Sequence, residues 1–118
     1  VLKYDNKFLI MKREENSMLG GLWEIPNFKF LGEKDLKKIC RKKIKNLLGL
    51  RIKKFRLIGT ISHKYSHFTA NVTVLDCNLT SFENFNDENF QWISLDEVRY
   101  YPFSKINHKI FKMITEIT

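Results

Sequence analysis

No run of apolar residues in this chain approaches the roughly 20 that a helix needs to cross a bilayer. The opening residues, Val1-Leu2-Lys3-Tyr4, have neither the apolar stretch nor the small-residue cleavage site of a signal peptide. Cysteine is scarce. Cys40 and Cys77 have neither metal-ligand nor redox spacing, and both fall in apolar-periodic segments, so they read as small buried hydrophobes suited to a reducing cytosol. Acidic residues are also few: 13 Asp and Glu stand against 21 Lys and Arg, a net charge of +8 with neutral histidines. That excess favours a polyanionic partner, nucleic acid first and an anionic membrane second. A lysine-rich composition drawn from an AT-rich genome, with its abundant Lys, Asn and Ile, would produce the same number. Internal repeats, low-complexity tracts and linkers are absent.

What is present is a core. Hydrophobic residues make up 43% of 118, which excludes disorder and fits one domain. The chain starts without Met, directly in a predicted strand, and reads as a fragment of a longer protein or as a trimmed start.

Residues 2–4, the pair Asp5-Asn6 and residues 8–11 read as strand, tight turn and strand, because Asp and Asn tolerate the left-handed backbone of such turns. Residues 12–16 read as a charged loop. In Leu19-Gly20-Gly21-Leu22-Trp23-Glu24-Ile25-Pro26 the paired glycines open a backbone path closed to other residues. Trp23 is expected in the core, with its indole N–H on a carbonyl. Residues 34–48 form the clearest helix: Leu36, Ile39, Cys40, Ile44, Leu47 and Leu48 make one apolar stripe, with Lys37, Lys38, Arg41, Lys42 and Lys45 on or near the other face. Gly49 stands at the helix C-cap, and Lys45 in the last turn suits the dipole. Residues 78–89 read as a loop and 90–93 as a strand. Ser94, with Glu97 three residues on, has the form of a capping box. Tyr100 and Tyr101 are expected to cover the end of the sheet, and residues 104–117 form a final helix with Ile106, Ile110, Met113, Ile114 and Ile117 inward. Interleaved strands and helices imply an α/β (α+β) sandwich, a mixed sheet flanked by helices.

The organising stretch is His63-Lys64-Tyr65-Ser66-His67-Phe68. Phe55, Leu57, Gly59 and Ile61 alternate before it, and Phe68, Ala70, Val72 and Val74 after it, so the six residues fall at the tip of two paired strands. A tip of this kind is held by the sheet and free to touch a ligand. Read alone, Ser66 there is ordinary turn chemistry, and the basic helix face is a solvated surface. His63 and His108 read as packing or capping residues. His63 and His67 are not on a helix and make no zinc pair.

Three segments carry a resemblance. Gly20-Gly21-Leu22-Trp23-Glu24-Ile25-Pro26 is similar to the GGLWEFP signature of the C-terminal domain of the MutY adenine DNA glycosylases. His63 to Phe68 resembles that domain's H-x-F-S-H-F segment. Tyr101-Pro102-Phe103-Ser104, with His108-Lys109-Ile110, resembles its closing YPLP…HRKIL. Together they span nearly the whole chain in the family's order.

The resemblance implies a Nudix fold, like that of the hydrolase MutT, and a domain that looks for 8-oxoguanine mispaired with adenine in double-stranded DNA. It implies that Ser66 makes the discriminating contact, that Tyr65 wedges or stacks at the family's Phe position, and that His67 bonds a base or backbone atom. Lys64 would neutralise a phosphate, with Lys37, Lys38 and Arg41 as further phosphate contacts. The excised adenine, the catalytic acids and an iron–sulfur cluster belong to the family's N-terminal catalytic domain, so no catalytic residue, metal ligand or cofactor is assigned here. A cytoplasmic, nucleoid-associated protein with no membrane partner is implied. Working Nudix enzymes bind a divalent metal through a helix ending Arg-Glu, apolar, any, Glu-Glu, any, Gly. With that glycine on Gly49, Lys42-Lys43 and Asn46-Leu47 occupy the charged positions, and magnesium wants oxygen ligands. Glu33 remains as a relic of the upstream glutamate. The expectation is a binding module rather than a nucleotide hydrolase. A free-standing Nudix hydrolase would need carboxylates such as Glu33, Asp35, Glu83 or Asp87.

Overall fold

The computed structural model describes residues 1–14, 20–32, 35–82 and 84–117. Leu19, Glu33, Lys34 and Glu83, which figured among the expectations, lie outside them. The elements in chain order are β1 (Leu2–Tyr4), β2 (Lys7–Lys12), β3 (Trp23–Glu24), α1 (Leu36–Leu48), β4 (Ile52–Lys64), β5 (Thr69–Leu79), β6 (Phe90–Ile93), a short 3-10 helix (Leu95–Tyr100) and α2 (Lys105–Ile117).

The strands form one mixed sheet, in which β2 pairs antiparallel with β1, β3 and β6, and β1 pairs parallel with β5. Asp5 turns β1 into β2 with φ 58°, the left-handed conformation its short polar side chain tolerates. In β2 the unbroken run Phe8-Leu9-Ile10 is almost wholly buried, at 4%, 0% and 0% exposed, because both faces of the strand are covered. Phe8 and Ile10 join Ile93, Phe103, Ile110, Phe111 and Ile114 under α2. Leu9 joins Cys40, Ile44, Leu50, Ile52 and Leu79 under α1. The expected sandwich is what forms.

Helix α1 begins at Leu36, with the Asp35 side chain accepting from the Lys38 N–H. It ends at Gly49, whose φ of 69° is left-handed and whose N–H donates to the Lys45 carbonyl. One member of the expected stripe is misplaced: Leu47 is 71% exposed. Cys40, Ile44 and Leu48 face the core at four-residue steps and Leu47 falls beside that line, so apolar character alone does not bury it.

Three further expectations are corrected. Strand β5 runs to Leu79, two residues into the predicted loop, because Cys77 and Asn78 pair with β1. Phe55, Leu57, Gly59 and Ile61 do not share a face. A register shift between Leu57 and Gly59 sets Leu57 opposite Leu75 and Gly59 opposite Val74. The irregularity switches the alternation: Phe55 packs on the α1 side, Ile58 and Ile61 on the α2 side, and Leu57 is left 60% exposed. Finally, Tyr100 is 68% exposed, while Tyr101 meets Trp23 edge-on at 5.2 Å.

Candidate nucleic-acid interface

The β4–β5 hairpin carries the organising stretch to its tip. Lys64 pairs with Thr69, and the Tyr65 N–H closes the turn by donating to the Phe68 carbonyl at 2.7 Å. The turn therefore holds only Tyr65, Ser66, His67 and Phe68. Ser66 and His67 are exposed, and Tyr65 is half-buried. The Tyr65 ring stacks on Phe68 with centroids 4.7 Å apart and planes 25° from parallel, and it meets His63 edge-on at 4.7 Å. Aromatic pairs of this geometry contribute about 0.5–1.5 kcal/mol beyond area burial. Tyr65 and Phe68 thus form a floor, and Ser66 and His67 stand between them at the apex.

Helix α2 braces this floor. Lys109 Nζ lies 2.8 Å from His63 Nδ1. An ammonium group can only donate, so the imidazole accepts at Nδ1 and its proton sits on Nε2. Farther down, Gly59 lies under Met113, whose sulfur and methyl would sit 3.5–3.6 Å from a Cβ there.

The other family-like segments reach the same helix. Gly21, with φ 81°, turns the chain so that the Arg13 N–H meets the Leu22 carbonyl at 2.8 Å. The Trp23 N–H donates to the Pro102 carbonyl at 2.9 Å, and the Ile25 N–H donates to Oδ1 of buried Asn107 at 3.0 Å. The Trp23 ring is half-buried and packs with Phe103 and its neighbours, as expected of a core residue. His108 faces Phe103 and Phe111 edge-on at 6.0 and 6.2 Å, a packing role.

The proposed phosphate contacts on α1 are not at this site. Arg41 donates to the Ile52 carbonyl and lies over the Phe55 ring at 5.0 Å. Ten residues of strand separate Phe55 from Tyr65, roughly 30 Å at about 3.3 Å each. Lys37 and Lys38, one turn from Arg41, are exposed at that far end. Instead, Lys109 joins Lys64 as a cation beside the tip, a position for which the sequence offered one signal: Lys105, His108, Lys109 and Lys112 recur at three- and four-residue steps. The tip itself is convex. A groove of about 370 Å³ opens elsewhere, lined among others by Lys7, Phe85, Asp87, Phe90 and Trp92.

On α1, Ile44 is 5% exposed, while Lys42, Lys43, Asn46 and Leu47 all face solvent. Asp35 is engaged in capping, and Asp87 accepts from the Asn89 N–H at 2.9 Å. Among the described residues no three His, Cys, Asp or Glu side chains gather closely enough to hold a metal ion.

Fold, helix positions and ordered segments define a class: residues 1–113 match the NUDIX domain, and the chain belongs to that family. Within it, the chain is similar to a domain of adenine DNA glycosylases. It is 36% identical over 87 residues to the adenine DNA glycosylase of Buchnera aphidicola subsp. Schizaphis graminum, a match covering 74% of this chain and 23% of that protein. It is 28% identical over 116 residues to the 8-oxo-dGTP diphosphatase of the same organism, covering 92% and 87%. The structure superposes on the C-terminal domain of mouse MUTYH, solved in complex with human PCNA, with a TM-score of 0.75 at 19% identity, covering 94% of this chain and 77% of that one. The chain spans about a quarter of the length of the curated glycosylases it matches.

Proposed function

We propose that this chain is the lesion-reading domain of an adenine DNA glycosylase, touching 8-oxoguanine opposite adenine through the Tyr65–Ser66–His67 tip. The observation that carries the reading is the presentation of Ser66 and His67: both exposed, in a turn flanked by the Tyr65–Phe68 stack, at the end of a braced hairpin. 8-Oxoguanine differs from guanine by a carbonyl at C8 and a proton on N7. A hydroxyl both donates and accepts, so Ser66 can answer either feature, and His67 can add a second polar contact. Tyr65 offers a ring edge on which a neighbouring base can rest. Lys64 can sit on a phosphate. The removal of adenine, the iron–sulfur cluster and a place on the nucleoid in the cytoplasm belong to the whole glycosylase on this reading, with the catalytic domain of the same polypeptide as partner.

The NUDIX family implies a divalent-metal site on α1, and the residues here do not fit one. The apolar position of the motif is kept and buried as Ile44. Its three carboxylate positions hold Lys43, Asn46 and Leu47, of which Lys43 and Leu47 cannot ligate magnesium at all. This supports a scaffold retained for its shape and turned to binding.

A second reading has its own support. The likeness to the 8-oxo-dGTP diphosphatase covers most of both chains, and both readings share the oxidised purine. They part on chemistry. A hydrolase releases pyrophosphate from 8-oxo-dGTP with magnesium; a reader binds an 8-oxoguanine·adenine duplex more tightly than a guanine·adenine one. The expected result is duplex preference without magnesium-dependent turnover. Turnover that tracks magnesium would favour the hydrolase.

A further inference from the structure

Helix α2 divides its charges from its apolar residues cleanly. Asn107, Ile110, Phe111 and Ile114 are buried, while Lys105, His108, Lys109 and Lys112 are exposed on the other face. The lysines span roughly 10 Å of helix axis. The ridge adjoins the tip, because Lys109 is the residue that holds His63. Successive strand residues point to opposite faces. His63 faces α2, so Lys64 points to the other side of the hairpin. The tip is therefore bracketed by cations on both faces.

Among the described residues the ridge is also unneutralised. Among the described residues no carboxylate lies within ion-pairing distance of Lys64, Lys105, Lys109 or Lys112; the described ion pairs are Lys3 and Arg56 with Asp76, and Arg13 with Glu24. The one acidic residue of α2, Glu116, makes no ion pair with Lys112. A row of like charges held on one rigid face repels itself unless an anion lies along it.

We infer that the Lys105–Lys109–Lys112 ridge, and not the lysine-rich face of α1, follows the phosphate backbone of a duplex whose oxidised purine meets the tip. The inference rests on the lesion-reading role proposed above. Phosphate contacts position a protein without specifying sequence, whereas base contacts specify. Ridge and tip therefore divide the work: the ridge sets affinity for any duplex, and Ser66 sets the preference for the lesion.

The test is the salt dependence of duplex binding by the 118-residue chain. Each neutralised phosphate contributes about 0.9 to the slope of log affinity against log salt. Replacing the two ridge lysines other than the brace Lys109 (Lys105→Ala and Lys112→Ala) should flatten that slope by about 2 and weaken damaged and undamaged duplexes by the same factor. The matching arginine variant keeps the charge and should keep the slope. Lys37→Ala with Lys38→Ala and Lys42→Ala, on α1, should leave the slope unchanged. A slope carried by the α1 set, or one lost equally in the arginine variant, overturns the inference, as does tighter binding of the ridge to anionic vesicles than to duplex. The two roles fail separately. A flattened slope with an unaltered lesion preference in Ser66→Ala removes the tip reading and keeps the ridge. A preference lost in Ser66→Ala, with the slope on α1, does the reverse. Absence of duplex binding by the wild-type chain at low salt overturns both.

Discussion

Lys109 Nζ stands 2.8 Å from His63 Nδ1, across 46 residues of chain, and this contact joins α2 to the outer end of the β4–β5 hairpin. The hairpin is long, and its tip extends beyond α1. Without a brace on one face, its last turn would be anchored by strand pairing alone. The contact is exposed, so its value lies in local order more than in global stability.

Lys109→Ala should accordingly lower the unfolding free energy by less than about 1.5 kcal/mol. It should speed hydrogen exchange at the Tyr65 amide, whose bond to the Phe68 carbonyl closes the turn. Exchange measured residue by residue checks this. An unchanged Tyr65 rate would mean that the stacked rings hold the turn unaided.

Asn107 is the polar residue that the core cannot lose cheaply. It is 6% exposed; its Oδ1 accepts from the Ile25 N–H and its Nδ2 donates to Ser104 Oγ at 2.9 Å. Asn107→Ala leaves the buried Ile25 amide without an acceptor, which costs about 1–3 kcal/mol. Chemical denaturation should show the midpoint falling with little change in the denaturant dependence. Asn107→Asp keeps the acceptor and should be milder only where the carboxyl is protonated.

Glu97 gives the 3-10 helix an acid-sensitive start. The backbone N–H and the hydroxyl of Ser94 both donate to its Oε1, at 3.0 and 3.1 Å, and hold its carboxyl below the ordinary range. A carboxyl depressed on folding stabilises fully above its unfolded value and loses that contribution as pH falls through its folded value. The stability gap between wild type and Glu97→Ala should therefore be widest near neutral pH and narrow as acid protonates the Glu97 carboxyl. A gap independent of pH would show that Glu97 acts through packing.

Cys40 and Cys77 should be silent in the native protein. They are 5% and 1% exposed, and the hydrogen bond with Cys40 together with burial pushes the Cys77 thiol up. A thiol reagent should react with neither until denaturant is added, then with both. Fast reaction without denaturant would contradict the packing.

Local signals were the legible part of the fold. The Asp5-Asn6 turn, the Gly49 cap, the Ser94–Glu97 box and the inward face of α2 from Ile106 to Ile114 each declare themselves within a few residues, and each forms. The hairpin tip was legible for the same reason. What stayed hidden needed the third dimension. The register shift between Leu57 and Gly59 leaves the alternation of Phe55, Leu57, Gly59 and Ile61 looking continuous, so its reversal of faces had no local mark. Leu47 reads as core by character and sits in solvent by position. The bonds of His63 with Lys109 and of Ile25 with Asn107 join residues 46 and 82 positions apart. They bring the three family-like segments onto one helix, a convergence that their order along the chain does not reveal. The α2 ridge was visible as a spacing, but its importance follows only from its nearness to the tip.

The claim on which the account rests is that the fingertip reads the lesion. The direct measurement is the ratio of dissociation constants for guanine·adenine and 8-oxoguanine·adenine duplexes, for wild type and for Ser66→Ala combined with His67→Ala. A lost base-edge contact typically removes about 1–3 kcal/mol of discrimination, so the ratio should fall by roughly one order of magnitude or more while affinity for the undamaged duplex holds. An identical ratio in wild type and variant would contradict the account.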